Sequence, residues 1–301
     1  MLRFTKLQGA GNDYIYVDGT QGERDWPSLA VRVSDRHFGI GADGLIVAAP
    51  SAVAGIRMRM YNADGSEGEM CGNGIRCLTK FAVERGLAEL HGGSLAVETG
   101  AGVKTITPVL EGGRIVGAVV DMGAPVLRAA DIPVNPARLG TSDLAALDQS
   151  VLTASGVGPA DLVFDAAAAV DGATFFVTGV SMGNPHVTAF LQEPVSGVDL
   201  ARLGPLMEHH AAFPRRINFH IVNVASRTHL VTRTWERGSG QTLACGTGAC
   251  AMVVAARLHG WVDNRVSVMV PGGELTITWP GHGPVLMEGD AVEVFSGELP
   301  D

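Results

Sequence analysis

The sequence predicts an α+β fold of two pseudo-symmetric domains, each a mostly antiparallel, barrel-like sheet wrapped around a central helix. Three observations lead to this prediction. A glycine-rich cysteine element occurs twice, as CGNG at residues 71–74 and as CGTG at residues 245–248. Each copy starts a helical run that stops at Gly86 or Gly260, fifteen residues after its cysteine. Strand patterns flank both runs.

The strand patterns follow the same order in the two halves. A strand precedes each helix and a hairpin around a glycine-containing turn follows it, at residues 15–17, 95–97 and 104–107 and again at residues 187–190, 266–268 and 275–278. The second helical run, residues 249–258, is rich in Ala, Val and Met on nearly all sides, which is typical of a buried helix.

These repeats define the predicted domains. Residues 1–123 form the N-terminal half, joined by the returning C-terminal segment 287–301, and residues 124–286 form the C-terminal half. Within the latter, residues 128–172 are Ala-rich and weakly patterned, so we predict a surface insertion there.

Composition and charge limit the kinds of partner that the protein can bind. The chain has 301 residues, of which 46% are hydrophobic and 18% charged, as in an ordinary globular enzyme. Its net charge of −9 argues against nucleic acid, because phosphate binding requires clustered Lys and Arg. Neither a membrane span nor an export signal is recognisable. We therefore predict a cytoplasmic protein with no nucleic-acid or membrane partner, and leave a homodimer open.

The four cysteines favour free thiols in a reducing compartment over a disulfide framework. A structural disulfide between Cys71 and Cys245 stays an alternative. Their distances from Cys77 and Cys250 do not fit a zinc site, so we predict no metal. Cys77 and Cys250 fall inside the helical runs, where buried free cysteine is common.

Cys71 and Cys245 differ from the other two because each stands where a helix begins. The free N–H groups and the positive end of the helix dipole favour a thiolate there. The same N–H groups would bind a carboxylate, and the neighbouring glycines allow its close approach. Each element therefore offers a base beside an anchor for the substrate.

Two such elements facing one site predict a racemase or epimerase. One thiolate would remove an α-proton, and the other thiol would give a proton to the opposite face of the carbanion. Because adjacent thiolates repel, we expect a mixed thiolate and thiol pair. No lysine context for pyridoxal phosphate is evident, so we predict no cofactor. The glycine pattern at residues 39–44 precedes a strand instead of a helix, which argues against nucleotide binding.

Five motifs then carry a resemblance to a known family. They are GNDY at residues 11–14, YNADGS at 61–66, CGNGIRC at 71–77, SMGNPH at 181–186, and the stretch 236–250 that starts with ERG and ends with CGTGAC. In these motifs and their order the chain resembles the diaminopimelate epimerases over nearly its whole length. The resemblance implies a cofactor-independent isomerase that interconverts LL- and meso-2,6-diaminopimelate in the biosynthesis of lysine and peptidoglycan precursors.

The resemblance also implies residue roles. Cys71 and Cys245 would be the acid–base thiols, and His186 and Glu236 would tune their pKa values. Ten residues would bind the substrate: Asn12, Asn62, Gly72, Asn73, Asn184, Asn218, Glu236, Arg237, Gly246 and Thr247.

The chain departs from some relatives at Gly44, where they have Gln, so that contact is absent or replaced by backbone or water. Arg237 suits the second carboxylate of diaminopimelate, because its guanidinium can bind a carboxylate through two parallel hydrogen bonds. Two alternatives stay open: a racemase of another amino acid on the same fold, and a non-catalytic thiol-redox or amino-acid-binding protein.

Overall fold

The computed structural model describes residues 1–142 and 144–300. Its helices are α1 (Trp26–Ser34), α2 (Gly72–Glu84), α3 (Gln149–Ser155), α4 (Leu200–Glu208) and α5 (Gly246–Leu258). Its strands are β1 (Leu2–Gly9), β2 (Asn12–Asp18), β3 (Gly44–Ala49), β4 (Ile56–Asn62), β5 (Glu67–Gly68), β6 (Leu95–Thr99), β7 (Gly102–Glu111), β8 (Arg114–Asp121), β9 (Ala166–Val170), β10 (Ala173–Ser181), β11 (Pro185–Phe190), β12 (Asn218–Ser226), β13 (His229–Glu236), β14 (Gly240–Gln241), β15 (Arg265–Val270), β16 (Gly273–Thr278), β17 (Leu286–Asp290) and β18 (Val292–Leu299).

The chain divides into two compact units. The first comprises residues 1–121 and 288–301, and the second comprises residues 122–287. Both combine mostly antiparallel strands with a few helices, which confirms the predicted α+β class with two domains. In the described part of the chain, no helix is long and apolar enough to cross a membrane.

The first unit contains two parallel steps in an otherwise antiparallel sheet. Strand β1 lies between β2 and the returning strand β18 and is antiparallel to both. Strand β2 pairs in parallel with β3, β3 pairs antiparallel with β4, and β4 pairs in parallel with β6. Strands β6, β7 and β8 then form an antiparallel meander. Helix α1 bridges the first parallel step and α2 the second, since a parallel pair needs a crossover connection.

The second unit repeats this order. Strands β10 and β11 are antiparallel, β11 and β12 are parallel, and β12 and β13 are antiparallel. A second parallel step joins β13 to β15, which pairs antiparallel with β16. Helix α4 bridges the first parallel step and α5 the second. The internal repeat of the sequence therefore extends to the order and direction of strand pairing.

A buried helix lies at the centre of each unit. Helix α2 contacts β1, β2, β3, β4, β7 and β8, and helix α5 contacts β10, β11, β12 and β16. Every residue of α5 from Gly248 to Ala256 is buried, as its apolar composition on all sides requires. Helix α2 also buries Thr79 and Lys80, whose polar groups bond to the carbonyl oxygens of Ile75 and Ile115.

The outer helices cover the other face of each sheet. Helix α1 contributes Trp26, Ala30 and Val33 to a buried apolar cluster with β2 and β3. Helix α4 contributes Leu200, Leu203 and Met207 to a corresponding cluster with β10, β11 and β12. Burial on both faces fixes the strands, and with them the polar side chains at the strand ends.

The weakly patterned segment 128–172 contains three short 3-10 helices, α3 and β9. Several of its apolar side chains are buried, among them Ile132, Val163 and Phe164. Strand β9 extends the sheet by pairing with β10. Asp143, which belongs to the predicted insertion, lies outside the described residues.

Candidate active site

Cys71 forms the N-cap of α2. Its backbone is extended, with φ −128° and ψ 120°, and its side chain accepts a hydrogen bond from the Gly74 N–H at 3.4 Å. The thiol donates to Asn12 Oδ1 at 3.1 Å. A Cβ on Gly74 would lie 2.6 Å from Ile46 Cδ1, so glycine lets the first turn of the helix approach β3 closely.

Asn12 is held by a charged cluster on its other side. Its Nδ2 donates to Asp43 at 2.6 Å, and Arg36 bonds both Asp13 and Asp43. Lys6 also forms an ion pair with Asp13 at 2.8 Å. Burial opposes ionisation of Asp13, but the bonds from Arg36 and Lys6 hold the pKa of this carboxyl below its usual value. The cluster fixes the orientation of the amide that faces Cys71.

Tyr14 is the second neighbour of the Cys71 thiol. Its ring is buried, and the Cys71 thiol and the Asn12 amide are near enough to its hydroxyl to influence its pKa. Burial and the nearby Cys71 raise the pKa of Tyr14 well above its usual value, so the hydroxyl keeps its proton. A Cβ on Gly44 would lie 3.0 Å from Tyr14 Cε1 and 2.2 Å from the Tyr61 carbonyl oxygen. The absence of a side chain at Gly44 thus makes room for this tyrosine.

The expectation that the helix terminus favours a thiolate meets an opposing force at Cys71. Loss of hydration raises the pKa of this thiol above its ordinary value. The N–H groups of Gly74 and Asn73, the Tyr14 hydroxyl and the charge of Arg76 lower it, but only in part. The helix N-terminus therefore moderates the pKa without bringing it below normal.

Arg76 holds the first turn of α2 together. Its guanidinium is fully buried and donates to Asn73 Oδ1 at 3.0 Å, to the Gly72 carbonyl oxygen at 3.4 Å and to the Asp290 carbonyl oxygen at 3.0 Å. The Asn73 side chain is thereby buried and oriented. Arg76 lies within the CGNGIRC motif, so the signal for it was present in the sequence.

The remaining predicted residue of the first unit, Asn62, stands apart from the Cys71 group in its hydrogen bonding. It ends β4 and donates from Nδ2 to Ser66 Oγ at 2.9 Å. Its backbone N–H bonds the Ser66 carbonyl oxygen in the same turn. Asn62 therefore closes the loop between β4 and β5.

Cys245 forms the N-cap of α5 and is 5% exposed. Its Sγ lies 3.7 Å from Thr247 Oγ1, and Gly246 is the first residue of the helix. Burial raises the pKa of this thiol well above its usual value, and the nearby carboxylate of Glu236 raises it further. Burial also raises the pKa of Glu236, which accepts a 2.5 Å hydrogen bond from Thr242.

Asn218 and Arg237 form a second group in this unit. Asn218 is buried, donates to the Pro185 carbonyl oxygen at 2.7 Å and accepts the Arg237 N–H at 2.9 Å. The Arg237 guanidinium donates to the Arg215 carbonyl oxygen at 3.1 Å. Asn218 thus positions the backbone of Arg237.

His186 belongs to a buried hydrogen-bonded chain. Its Nε2 lies 2.9 Å from Asn184 Oδ1 and its Nδ1 lies 2.9 Å from His220 Nε2. His220 Nδ1 in turn lies 2.9 Å from Thr234 Oγ1. Burial lowers the pKa of both histidines, that of His220 to about 3. Sequence reasoning missed His220, although strand alternation places it on the same face of β12 as Asn218.

None of the four cysteines forms a disulfide. Among residues 1–142 and 144–300, no group of three or more His, Cys, Asp or Glu side chains could hold a metal ion. The polar chemistry therefore concentrates at the starts of α2 and α5 and at the adjoining strand ends.

Comparison with known proteins identifies the family. The profile of the family described as "Diaminopimelate epimerase" matches residues 4–128 and 178–294. The chain belongs to the diaminopimelate epimerase family. It is 46% identical over 299 residues to a protein named "Diaminopimelate epimerase" from Desulfovibrio desulfuricans, covering 99% of this chain and 98% of the relative. A protein of the same name from Acetivibrio thermocellus is 44% identical over 300 residues, with 99% and 98% covered.

Solved structures of other proteins share the fold. A phenazine biosynthesis protein of the PhzF family from Bacillus anthracis aligns with TM-score 0.64 and 18% identity, covering 100% of this chain and 99% of that one. A hydroxyproline epimerase from Agrobacterium vitis aligns with TM-score 0.60 and 13% identity, covering 99% and 90%. At such identities the likeness concerns the fold alone.

Proposed function

We propose that this protein is a diaminopimelate epimerase, which interconverts LL- and meso-2,6-diaminopimelate with two cysteines and no cofactor. The observation that carries the proposal is the repeated N-cap cysteine, Cys71 on α2 and Cys245 on α5, in a chain of this family. Its place is in lysine and peptidoglycan precursor biosynthesis in the cytoplasm. Neither nucleic acid nor a membrane is part of the proposal, and a homodimer stays a prediction.

The proposed reaction needs one thiolate and one thiol. The thiolate removes the α-proton, so the C–H bond breaks, an S–H bond forms and the electron pair stays on carbon. The opposite thiol then gives its proton to the other face of that carbon and becomes a thiolate. The product has inverted configuration and the enzyme has exchanged its two protonation states, so the reverse reaction follows the same path.

The carbanion requires stabilisation next to the reacting carbon. The backbone N–H groups around Gly72, Asn73, Gly246 and Thr247 belong to first helical turns, whose N–H groups lack partners within the helix. They are suited to bind the α-carboxylate, where charge accumulates in the transition state. We assign this anchoring role to them.

The remaining residues divide by chemistry. Asn12, Asn62, Asn184 and Asn218 offer donors and acceptors for ammonium and carboxylate groups, and Arg237 offers a fork for the distal carboxylate. Glu236 beside Cys245 is a carboxylate with a raised pKa, suited to accept the thiol proton. His186 acts on these substrate-binding residues through Asn184.

Isotope exchange tests the proposal. Wild type and the variants Cys71→Ser and Cys245→Ser are incubated with LL-diaminopimelate in deuterated water without added cofactor, and NMR follows the α-protons. We expect deuterium at one α-carbon with formation of the meso isomer in wild type, and severe loss of both in either variant. Cys77→Ser and Cys250→Ser, at buried positions inside the same helices, are the matched controls and should stay active.

The outcomes separate the candidate functions. Exchange of proline or trans-4-hydroxyproline without exchange of diaminopimelate would keep the mechanism and replace the substrate. Full activity of Cys71→Ser or Cys245→Ser would exclude the two-thiol mechanism. If no amino acid exchanges its α-proton, the catalytic proposal fails and the cysteines serve redox chemistry or ligand binding instead.

A further inference from the structure

Four polar side chains in the second unit are connected end to end. They are Thr234, His220, His186 and Asn184, joined by three hydrogen bonds of 2.9 Å each. Both histidines are completely buried and Thr234 is 4% exposed, so this chain is shielded from water over most of its length. Buried polar groups of this kind hold a fixed geometry because an unmade hydrogen bond there is costly.

The chemistry of the four groups gives the chain one direction. An amide oxygen only accepts, so the proton at the Asn184 end belongs to His186 Nε2. Burial keeps both imidazoles neutral, with one N–H each. His186 Nδ1 must then accept from His220 Nε2–H, and His220 Nδ1 must accept from the Thr234 hydroxyl. Each histidine is therefore held as the Nε2–H tautomer.

The hydrogen bonds that begin at Thr234 determine which atoms of the Asn184 amide remain available to a ligand. Its Oδ1 is occupied by His186, whereas no described residue accepts a hydrogen bond from its Nδ2. The amide is thus oriented with both N–H donors available to an acceptor such as a carboxylate oxygen. An amide rotated by half a turn would instead offer its oxygen, which repels a carboxylate.

His220 also supports the helix that carries Cys245. A Cβ placed on Gly248 would lie 2.5 Å from His220 Cε1 and 3.0 Å from both His220 Nε2 and Cys245 Sγ. The imidazole therefore occupies the space beside the first turn of α5, next to the thiol. The sequence allows this contact because residue 248 has no side chain.

We propose that His220 is a positioning residue of the epimerase site: through His186 it holds the Asn184 amide with its N–H donors free for a carboxylate of the substrate. The inference rests on the proposed function, since it concerns binding of that substrate. His220 itself contacts no reacting atom. Asn184 binds substrate and transition state alike, so the four hydrogen-bonded side chains contribute to the affinity for substrate and not to the rate of the chemical step.

Isosteric variants of Thr234 and His220 test this role. Thr234→Val keeps the shape and removes the hydroxyl that His220 Nδ1 needs, so His220 loses its preference for one tautomer. We expect KM for diaminopimelate to rise about threefold to tenfold, the value of one hydrogen bond, with kcat within about twofold. His220→Phe should raise KM further, and His220→Gln, which can still donate to His186, should restore part of the loss.

The protein offers a matched control in Thr178→Val. Thr178 bonds the buried His259 Nε2 at 3.0 Å and is 1% exposed, so this variant removes an equally buried Thr–His hydrogen bond outside the proposed chain. It should leave KM unchanged. If Thr234→Val and His220→Phe also leave KM at the level of Thr178→Val, the positioning role is wrong.

Nitrogen-15 NMR of the histidine rings gives a reading independent of activity. In wild type without added substrate we expect His186 and His220 as neutral Nε2–H tautomers, and in Thr234→Val a mixture of tautomers at both. Nδ1–H tautomers in wild type would reverse the chain and overturn the proposal. If wild type turns over no diaminopimelate, the proposed function fails and this proposal with it, whereas normal turnover with unchanged KM in the variants overturns this proposal alone.

Discussion

The two proposed catalytic thiols experience opposing forces. At Cys71 the helix N–H groups, the Tyr14 hydroxyl and the charge of Arg76 favour the thiolate, while loss of hydration favours the thiol. At Cys245 loss of hydration and repulsion from Glu236 favour the thiol, while the Thr247 hydroxyl and the Gly248 N–H favour the thiolate. Burial therefore favours the protonated form of the thiol at both positions. In the proposed reaction the thiolate would form as the substrate binds, because its ammonium group brings positive charge.

Tyr14→Phe tests the contribution of the hydroxyl at Cys71. Without this donor the pKa of Cys71 should rise further, because the thiolate loses a hydrogen bond worth about 1 kcal/mol, or roughly fivefold in ionisation. The rate of Cys71 alkylation, followed against pH in the Cys245→Ser background, should shift to more alkaline pH. Tyr61→Phe, in the same unit, is the control. Equal alkylation profiles for both variants would mean that Tyr14 does not act on the thiol.

Gly44 is a second residue whose role is steric. Its Cβ would lie 2.2 Å from the Tyr61 carbonyl oxygen, a backbone atom that cannot move without displacing β4. Gly44→Ala should therefore reduce the free energy of unfolding by roughly 1–3 kcal/mol, measured by urea denaturation. Gly197→Ala, at a glycine with no heavy atom within 4 Å of the added Cβ, should change it little. Equal stabilities would show that β3 and β4 can separate freely.

At the scale of the element, local patterns were predictable and packing partners were not. The Cys-Gly-X-Gly start of α2 and α5 lies within one turn, so the sequence alone predicts both N-caps. Tyr14 reaches Cys71 from β2, and His186 meets His220 because β11 and β12 pair in parallel with His186 opposite Asn218. The sequence contains hairpin signals but none for these parallel steps, whose register depends on the crossover helices α1 and α4.

The repeated elements also permit a test within one molecule. Gly74 and Gly248 occupy equivalent positions in α2 and α5, but an added Cβ would meet the flexible end of Ile46 in one case and the fixed His220 ring in the other. Gly248→Ala should therefore lower kcat/KM by at least tenfold and destabilise the protein by roughly 1–3 kcal/mol. Gly74→Ala should be milder in both measurements. A reversed order would mean that His220 is free to move.

At the scale of the whole molecule, the internal repeat has two helix N-termini whose cysteines share an extended backbone but have different surroundings. Cys71 faces the neutral groups of Asn12 and Tyr14, whereas Cys245 faces the carboxylate of Glu236. The second unit alone carries the buried pair His186 and His220. The second unit therefore contains buried, uncharged imidazoles. Because these groups bind protons less readily in the folded state than in the unfolded state, the stability of the protein depends on pH.

Acid should destabilise the protein before its carboxylates titrate. An unfolded histidine binds a proton below about pH 6.5, whereas folded His220 does so only below about 3, and the pKa of His186 is also lowered. Between these limits the unfolded state binds more protons, so stability falls as pH decreases through this window. Each neutral histidine should cost about 2 kcal/mol between pH 6.5 and 5. Urea titrations at pH 7 and 5 measure this loss.

His220→Phe should remove about one histidine's share of this loss, and Gly44→Ala, which keeps both imidazoles, should lower stability equally at the two pH values. An unchanged pH dependence in His220→Phe would show that His220 takes up a proton in the folded protein.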